Sequence, residues 1–455
     1  MAGAARGGFL DLSGILPGVA AALARLMHGL PLGFLRNLKW QYIASLGAAV
    51  LGGLYFLLLG RTLGIVNFGL YSLALSVATA IFNCTDMRLQ EAAVRFLSHA
   101  EGPQGEARAA RIFRLLYQID VGARFGAAVL VGALASLIAA YILHDPHAAL
   151  LIVLSGAVLL VSKLGNTVSV GVLRVTDRFE WTAYLTLADW GGRLVLTAAL
   201  AVTGKLTIPL VLIVSLLISG GVNACTVIAA IREWTKRHPR LPPVDVALGA
   251  AELRKYIGSS YGISLSENLI RELDTTVVGW LLGIEAVAIY RMSKNFVALV
   301  ARMADPVFLV LMPEFSRFLH EKRMDEARRF IRKLVVLLGG IAVAAYAVSV
   351  LAMPWIVHAF LGAKFAPVTG TYAIMVAYTL ISMPTIWSYP LLAAAGRTDL
   401  LFRGHLTGNC LVIGLIFCLA PIWGVYGAAA ALSLGISVTF CISLFLIWRT
   451  RVAWA

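Results

Sequence analysis

Twelve apolar runs dominate this chain, at approximately 41–60, 67–87, 120–142, 149–173, 181–203, 206–231, 256–282, 286–312, 334–360, 366–395, 401–421 and 424–448. A hydrocarbon core of about 30 Å takes about 20 residues to cross as helix, and backbone polar groups inside it must be satisfied within the segment. Closed β-barrels would need alternating segments of about ten residues, and the sequence has none. The runs therefore predict an all-α polytopic membrane protein of twelve transmembrane helices. Only 13% of the 455 residues are charged, about half of what a soluble domain carries.

The formal net charge of +15 invites a nucleic-acid reading, but its distribution argues against one. With the N-terminus placed in the cytoplasm, Arg61, Lys205 and Lys364 are the cations in outside loops, and every other loop cation falls inside. That asymmetry is the positive-inside pattern, and it predicts cytoplasmic N- and C-termini. Residues 1–39 read as a cytoplasmic, partly interfacial segment, and 449–455 as a cytoplasmic tail. Cys84, Cys225, Cys410, Cys418 and Cys441 lie in or beside apolar runs without a CxxC pair, so they read as small buried hydrophobes.

One phrase is written twice. GRTLGIVNFGLY at 60–71 and GWLLGIEAVAIY at 279–290 share Gly60/Gly279, Leu63/Leu282, Gly64/Gly283, Ile65/Ile284 and Tyr71/Tyr290, 219 positions apart. The same shift carries Arg178 onto Arg397. Residues 40–231 and 256–448 thus read as two copies of a six-helix unit. Six being even, both copies run the same way through the bilayer, as parallel repeats with a substrate path between them. The basic linker 232–255, with Pro239, Pro242 and Pro243, joins the two lobes on the cytoplasmic side.

The runs LGRTLGIVNFGLYSLALSVATAI and DTTVVGWLLGIEAVAIYRMSKNFVALV, followed by MPEFSRFLHE, resemble the polysaccharide transporter (Wzx-type flippase) family of the MOP superfamily. Asp274, Gly283, Tyr290, Pro313 and Ser316 fall on that family's Asp, Gly, Tyr and P-x-x-S positions, and the likeness covers residues 35–450. The resemblance implies movement of undecaprenyl-diphosphate-linked oligosaccharide from the cytoplasmic to the periplasmic leaflet of a bacterial inner membrane, for surface polysaccharides such as O-antigen or exopolysaccharide. It implies no enzyme activity and no cofactor. Its expected partners are the lipid-linked glycan, membrane lipids and polysaccharide polymerase or ligase machinery, with Na+ or H+ coupling open and no nucleic acid.

Charges inside spans are the polar path visible in the residues themselves, since each costs about 2.5–3.5 kcal/mol at a helix centre and must face protein or water. Glu267, Arg271 and Asp274 share one face of span seven, and Arg291, Lys294, Arg302 and Asp305 share one face of span eight. The stripes can neutralise each other: with Glu272, span seven is net −2 and span eight net +2. Arginine's planar fork and lysine's point charge also suit a diphosphate. Arg271, Arg291, Lys294 and Arg302 are therefore the candidate headgroup ligands, with Lys163 of span four a further cavity cation. Glu267, Asp274 and Asp305 are the candidates for ion coupling. Asp120/Arg124 and Asp189/Arg193 are i, i+4 pairs that can satisfy themselves.

Other matches fall away. GSSYG at 258–262 fits a nucleophile elbow by letters but opens a transmembrane run, and there is no P-loop. HDPH at 144–147 is a weak metal motif, and no metal is expected. Trp40, Trp280, Tyr290 and Trp448 read as interfacial anchors. The alternative function is a MATE-like organic-cation or drug antiporter of the same plan, which would favour an acidic aromatic cavity. A polytopic glycosyltransferase would want a large outside loop, and the outside loops are short.

Overall fold

A computed structural model describes residues 32–98, 102–143, 146, 148–238, 250–302, 311, 315, 317–321, 323–395 and 397–450. Among them there is no strand. The helices are α1 (Leu32–Asn83), α2 (Leu89–Leu97), α3 (Gly102–Ile138), α4 (Ala148–Lys163), α5 (Asn166–Val175), α6 (Phe179–Val202) and α7 (Ile208–Arg237) in the first half. The second half holds α8 (Ala250–Leu282), α9 (Ile284–Ala301), α10 (Met324–Ile356), α11 (Pro367–Val376), α12 (Thr379–Thr385), α13 (Ser388–Ala394) and α14 (Thr398–Thr450).

α1 and α14 are each two crossings joined at a single residue. Gly64 breaks α1 with φ 73° and ψ 175°, and Gly424 breaks α14 with φ 58° and ψ −139°. The chain truly turns back at Gly64: the hydroxyls of Tyr55 and Tyr71, sixteen residues apart, come within 3.5 Å. A continuous helix would hold them about 24 Å apart. α8 and α9 reverse in the same way at Gly283, φ 83° and ψ −179°. Positive φ is costly for any side chain with a Cβ, so the repeated glycine marks a repeated reversal. Counting α4–α5 and α11–α13 as one broken crossing each, the described residues make the expected twelve.

Eight helical stretches are by themselves long and apolar enough to span a membrane. α8 and α9 are not among them because their charges lower their hydropathy. The turns are asymmetric. Gly64, Gly204, Gly283, Gly362 and Gly424, all at positive φ, close hairpins at one end of the bundle. The connections at the other end carry basic residues, and that at 176–178 is also short.

The two halves meet where α1 lies along α8 and α9. The two copies of the twelve-residue phrase face each other in this seam. A Cβ on Gly69 would overlap the carbonyl oxygen of Ile284, and one on Gly279 would come within 2.7 Å of Leu73. Small residues let the backbones approach, the usual basis of helix association in lipid. Tyr55, Phe68, Leu73, Ala288 and Phe365 form the buried core along the same line.

Several expectations need correction. Cys225, Cys410, Cys418 and Cys441 are exposed on the bundle surface and Cys84 is intermediate. A thiol is apolar enough to face lipid, so burial in protein is not required. Tyr290 is completely buried rather than interfacial, because the reversal at Gly283 folds it back against α8. Trp280 and Trp448 are exposed, as anchors would be.

Candidate functional site

The reversal at Gly283 decides which charges meet. By folding α9 onto α8 it brings together residues sixteen to twenty apart in sequence. Lys294 Nζ donates to both oxygens of Asp274, at 2.8 and 2.7 Å, and the Tyr290 hydroxyl donates to Asp274 Oδ2 at 2.9 Å. The amide of Thr275 donates to Asp274 Oδ1 at 2.6 Å. Asp274 is almost fully enclosed by these donors, with its side chain 3% exposed.

Beside it, Arg291 Nη1 donates to Glu272 Oε2 at 2.6 Å. The Ser76 hydroxyl, reaching from α1, donates to the same oxygen at 3.0 Å. Glu272 thus links the two halves, as does the Tyr261 hydroxyl, which donates to the carbonyl of Cys84 at 2.6 Å. Glu272 lies off the Glu267–Arg271–Asp274 stripe, so helical periodicity gives it only a share of the net charge of span seven. Its partner becomes visible only once Gly283 is recognised as a fold-back point.

Arg291 and Lys294 are therefore ion-paired in this structure. Arg302 lies exposed just beyond the end of α9. The side chains of Glu267 and Arg271, and Asp305 altogether, lie outside the described residues.

The first half supplies a second charged group. Arg124, 3% exposed, donates Nε to Asp120 Oδ1 at 3.2 Å. Its other nitrogens go to neutral oxygens: the Phe82 carbonyl at 3.2 Å, Thr85 Oγ1 at 3.1 Å and Thr167 Oγ1 at 3.2 Å. Asp120 is 1% exposed, and its Oδ2 has no hydrogen-bond partner among the described residues.

Span four breaks beside this pair. α4 ends at Lys163, Gly165 takes a left-handed φ of 69°, and α5 starts at Asn166. The break frees carbonyls inside the membrane, and these must be satisfied by protein. Asn223 of α7 does so, donating to the carbonyls of Val161 at 2.8 Å and Leu164 at 2.9 Å while accepting from Asn166 at 2.9 Å. Lys163, at the break, makes no hydrogen bond among the described residues. It lies in the electrostatic field of Asp86, Asp120 and Arg124 from its own half and of Glu272 from the other.

Among the described residues, Glu272 joins this group to the Arg291–Glu272 and Lys294–Asp274 pairs of the second half. Arg124, Arg291 and Lys294 each have an acidic partner within hydrogen-bond distance. The Lys163 ammonium has none among the described residues.

On the far side of α5 lies a polar cavity of about 140 Å³ lined by Ser162, Thr186, Asp189, Ser219, Asn223 and Thr226 among others. Asp189 is occupied by Arg193 at 2.5 and 3.1 Å and by Ser219 at 2.7 Å, a self-satisfied i, i+4 pair as its spacing predicts. No cluster of three or more potential metal ligands occurs among the described residues. GSSYG sits within the continuous helix α8, which removes the strand-to-helix turn its nucleophile reading requires.

Residues 34–319 match the pattern of a family described as "Polysaccharide biosynthesis protein". No curated protein is similar enough in sequence to count as a relative. Among solved structures, an inward-facing multidrug resistance MATE family transporter of the MOP superfamily superposes with TM-score 0.67 at 15% identity, covering 94% of this chain and 96% of that one. The lipid II flippase MurJ in an inward closed conformation gives 0.68 at 14% identity, covering 90% and 87%. An outward-facing MATE family transporter gives 0.55 at 15% identity, covering 91% and 96%. At such identities the likeness is one of fold, and the fold is that of MOP transporters.

Proposed function

The chain belongs to the polysaccharide biosynthesis protein family, and from that premise we propose that it is a flippase. Its substrate is an oligosaccharide linked to undecaprenyl diphosphate, moved from the cytoplasmic to the periplasmic leaflet of a bacterial inner membrane. The moving parts are two six-helix lobes, 40–231 and 256–448, joined by the linker 232–255.

The observation that carries the reading is Lys163. It is a cation at a broken helix inside the bundle, in the field of carboxylates from both halves, and its ammonium has no hydrogen-bonded partner among the described residues. A half-buried ammonium with no acceptor beside it is well placed to receive an anion. A diphosphate headgroup needs such a partner because it must leave water to cross. Arg124 stands beside Lys163, and Arg291 reaches the same space when it exchanges Glu272 for phosphate. Arg271 and Arg302 remain proposed outer ligands of the headgroup, and Glu267, Asp274 and Asp305 proposed coupling groups.

Alternating access is supported by the seam. With cytoplasmic termini, the glycine-turn end faces outside, and there the halves are packed through Gly69 and Gly279. The better superposition on the inward-facing than on the outward-facing transporter agrees with a state closed on the outside. Transport begins with capture of the headgroup from the cytoplasmic side. The halves then part along α1 and α8–α9, with the glycan in the central space and the polyprenyl tail in lipid. The drug-antiporter alternative would place an organic cation beside Lys163, which like-charge repulsion disfavours.

The test is lipid extraction from a strain lacking the gene. Accumulation of a polyprenyl-diphosphate glycan, cleared by the wild-type gene and at least about tenfold less efficiently by Lys163→Ala, is the expected result. No accumulation in a strain with a single such transporter would overturn the flippase reading.

A further inference from the structure

The charges around Lys163 have a chemical consequence for any anion that enters. Among the described residues Asp86, Asp120 and Glu272 already lie in its field beside Arg124, so a diphosphate adds negative charge to a region of low dielectric, where an unbalanced ion is costly. Re-pairing a cation with the phosphate leaves the net charge as it was, whereas a proton taken up by a carboxylate reduces it.

The carboxylates differ in how firmly they are held as anions. Asp274 accepts from Lys294, Tyr290 and the amide and hydroxyl of Thr275, Glu272 from Arg291 and Ser76, and Asp86 from the amide of Arg88. Asp120 is the weakly held one. Its Oδ2 is buried without a well-aligned hydrogen-bond partner among the described residues, the Val168 amide standing nearby, and its Oδ1 has one long contact to an arginine whose other bonds go to neutral oxygens. Losing its charge leaves Arg124 anchored by Phe82, Thr85 and Thr167.

We infer that Asp120 takes up a proton from solvent as the headgroup binds beside Lys163, so that lipid-linked diphosphate and proton are bound together. This rests on the diphosphate reading above. The groups that set the response face Asp120 from each neighbouring element. On α3 they are Tyr117 and Arg124, and between α1 and α2 there is Asp86. Lys163 faces it from the end of α4, and the amide of Val168 from the first turn of α5. α2 turns Leu89, Ala92, Ala93 and Leu97 inward and leaves Glu91 and Arg95 exposed. The incoming phosphate competes with Asp120 for the field of Lys163 and Arg124, and an added negative charge nearby raises a carboxyl's affinity for its proton.

The experiment uses the full chain in detergent micelles with undecaprenyl diphosphate as the probe. Proton exchange on binding is read by calorimetry in buffers of different ionisation enthalpy, and the carboxyl C=O stretch by infrared difference spectroscopy. The expected result is uptake of about one proton more per bound headgroup in wild type than in Asp120→Asn. A new protonated-carboxyl band, absent from Asp120→Asn, and affinity falling by up to about tenfold per pH unit accompany it. Binding without uptake or band in wild type overturns the inference and leaves the diphosphate reading standing. Uptake that persists unchanged in Asp120→Asn also overturns it. Absence of binding at every pH overturns both. Because the wild-type signals alone decide the first of these outcomes, the inference stays testable even where Asp120→Asn fails to fold.

Discussion

Lys294 closes its ammonium on both carboxylate oxygens of Asp274, at 2.8 and 2.7 Å, across the reversal at Gly283. With the Tyr290 hydroxyl on the same group, this bond staples α8 to α9. Removing one partner strands the other in a nearly dry setting. Asp274→Ala is expected to cost about 3 kcal/mol of stability, read as a lowered melting midpoint in detergent. A double variant, Asp274→Leu with Lys294→Met, is expected to recover most of it, since paired apolar replacements leave no buried charge. Additive losses in the double-mutant cycle would show that the pair does not act as a unit.

Lys163 is expected to behave in the opposite way. It gives up no hydrogen bond when replaced, so Lys163→Gln is expected to leave thermal stability within about 1 kcal/mol of wild type or above it. Glycan clearance falls at least tenfold in the same variant. A loss of stability matching the loss of transport would assign Lys163 a structural role instead.

The reversals at Gly64 and Gly283 require a left-handed backbone. Gly64→Ala and Gly283→Ala are each expected to cost about 1–2 kcal/mol, with Asn tolerated better than Val at either position. Ranking the melting midpoints of the Ala, Asn and Val variants checks this; a flat ranking would mean the turn had relaxed to another shape.

Gly69 lies against the Ile284 carbonyl, and nothing larger fits. Gly69→Val is expected to hold the halves apart in the seam. In a background without native cysteines, maleimide labelling of Leu73→Cys is expected to be slow when Gly69 is kept and faster once Val replaces it, with transport lost. Unchanged labelling would place the moving contact elsewhere.

Much of the plan was readable from residues alone. The apolar runs gave the crossings, and the 219-residue echo paired Gly64 with Gly283 without marking either as a reversal. The i, i+4 spacing identified Asp120/Arg124 and Asp189/Arg193. The details lost were those that depend on a turn. Helical periodicity assigns a charge to a face but does not say which faces come together, so Glu272, off its stripe, was passed over. Tyr290, near a span end, read as an anchor until the fold-back buried it. The echo itself held the missing clue: Tyr55 corresponds to Asp274 at the same shift, and each contacts the tyrosine that ends its phrase. One half makes a hydroxyl–hydroxyl contact where the other makes a carboxylate bond and adds Lys294. The two copies have thus kept a geometry and diverged in its chemistry.

The single-glycine reversals bear on how the molecule is made. A turn of one residue leaves no length of polar chain to pause in water between two crossings. α8, with its buried carboxylates, is too polar to rest in lipid by itself, and its charges are neutralised by α9, which arrives next in synthesis. Such helices are best released into the bilayer as closed pairs, the second carrying the counter-ions of the first. The ribosome would then deliver this protein hairpin by hairpin, and the ion pairs of the mature bundle would serve first as the passport of each hairpin into the membrane.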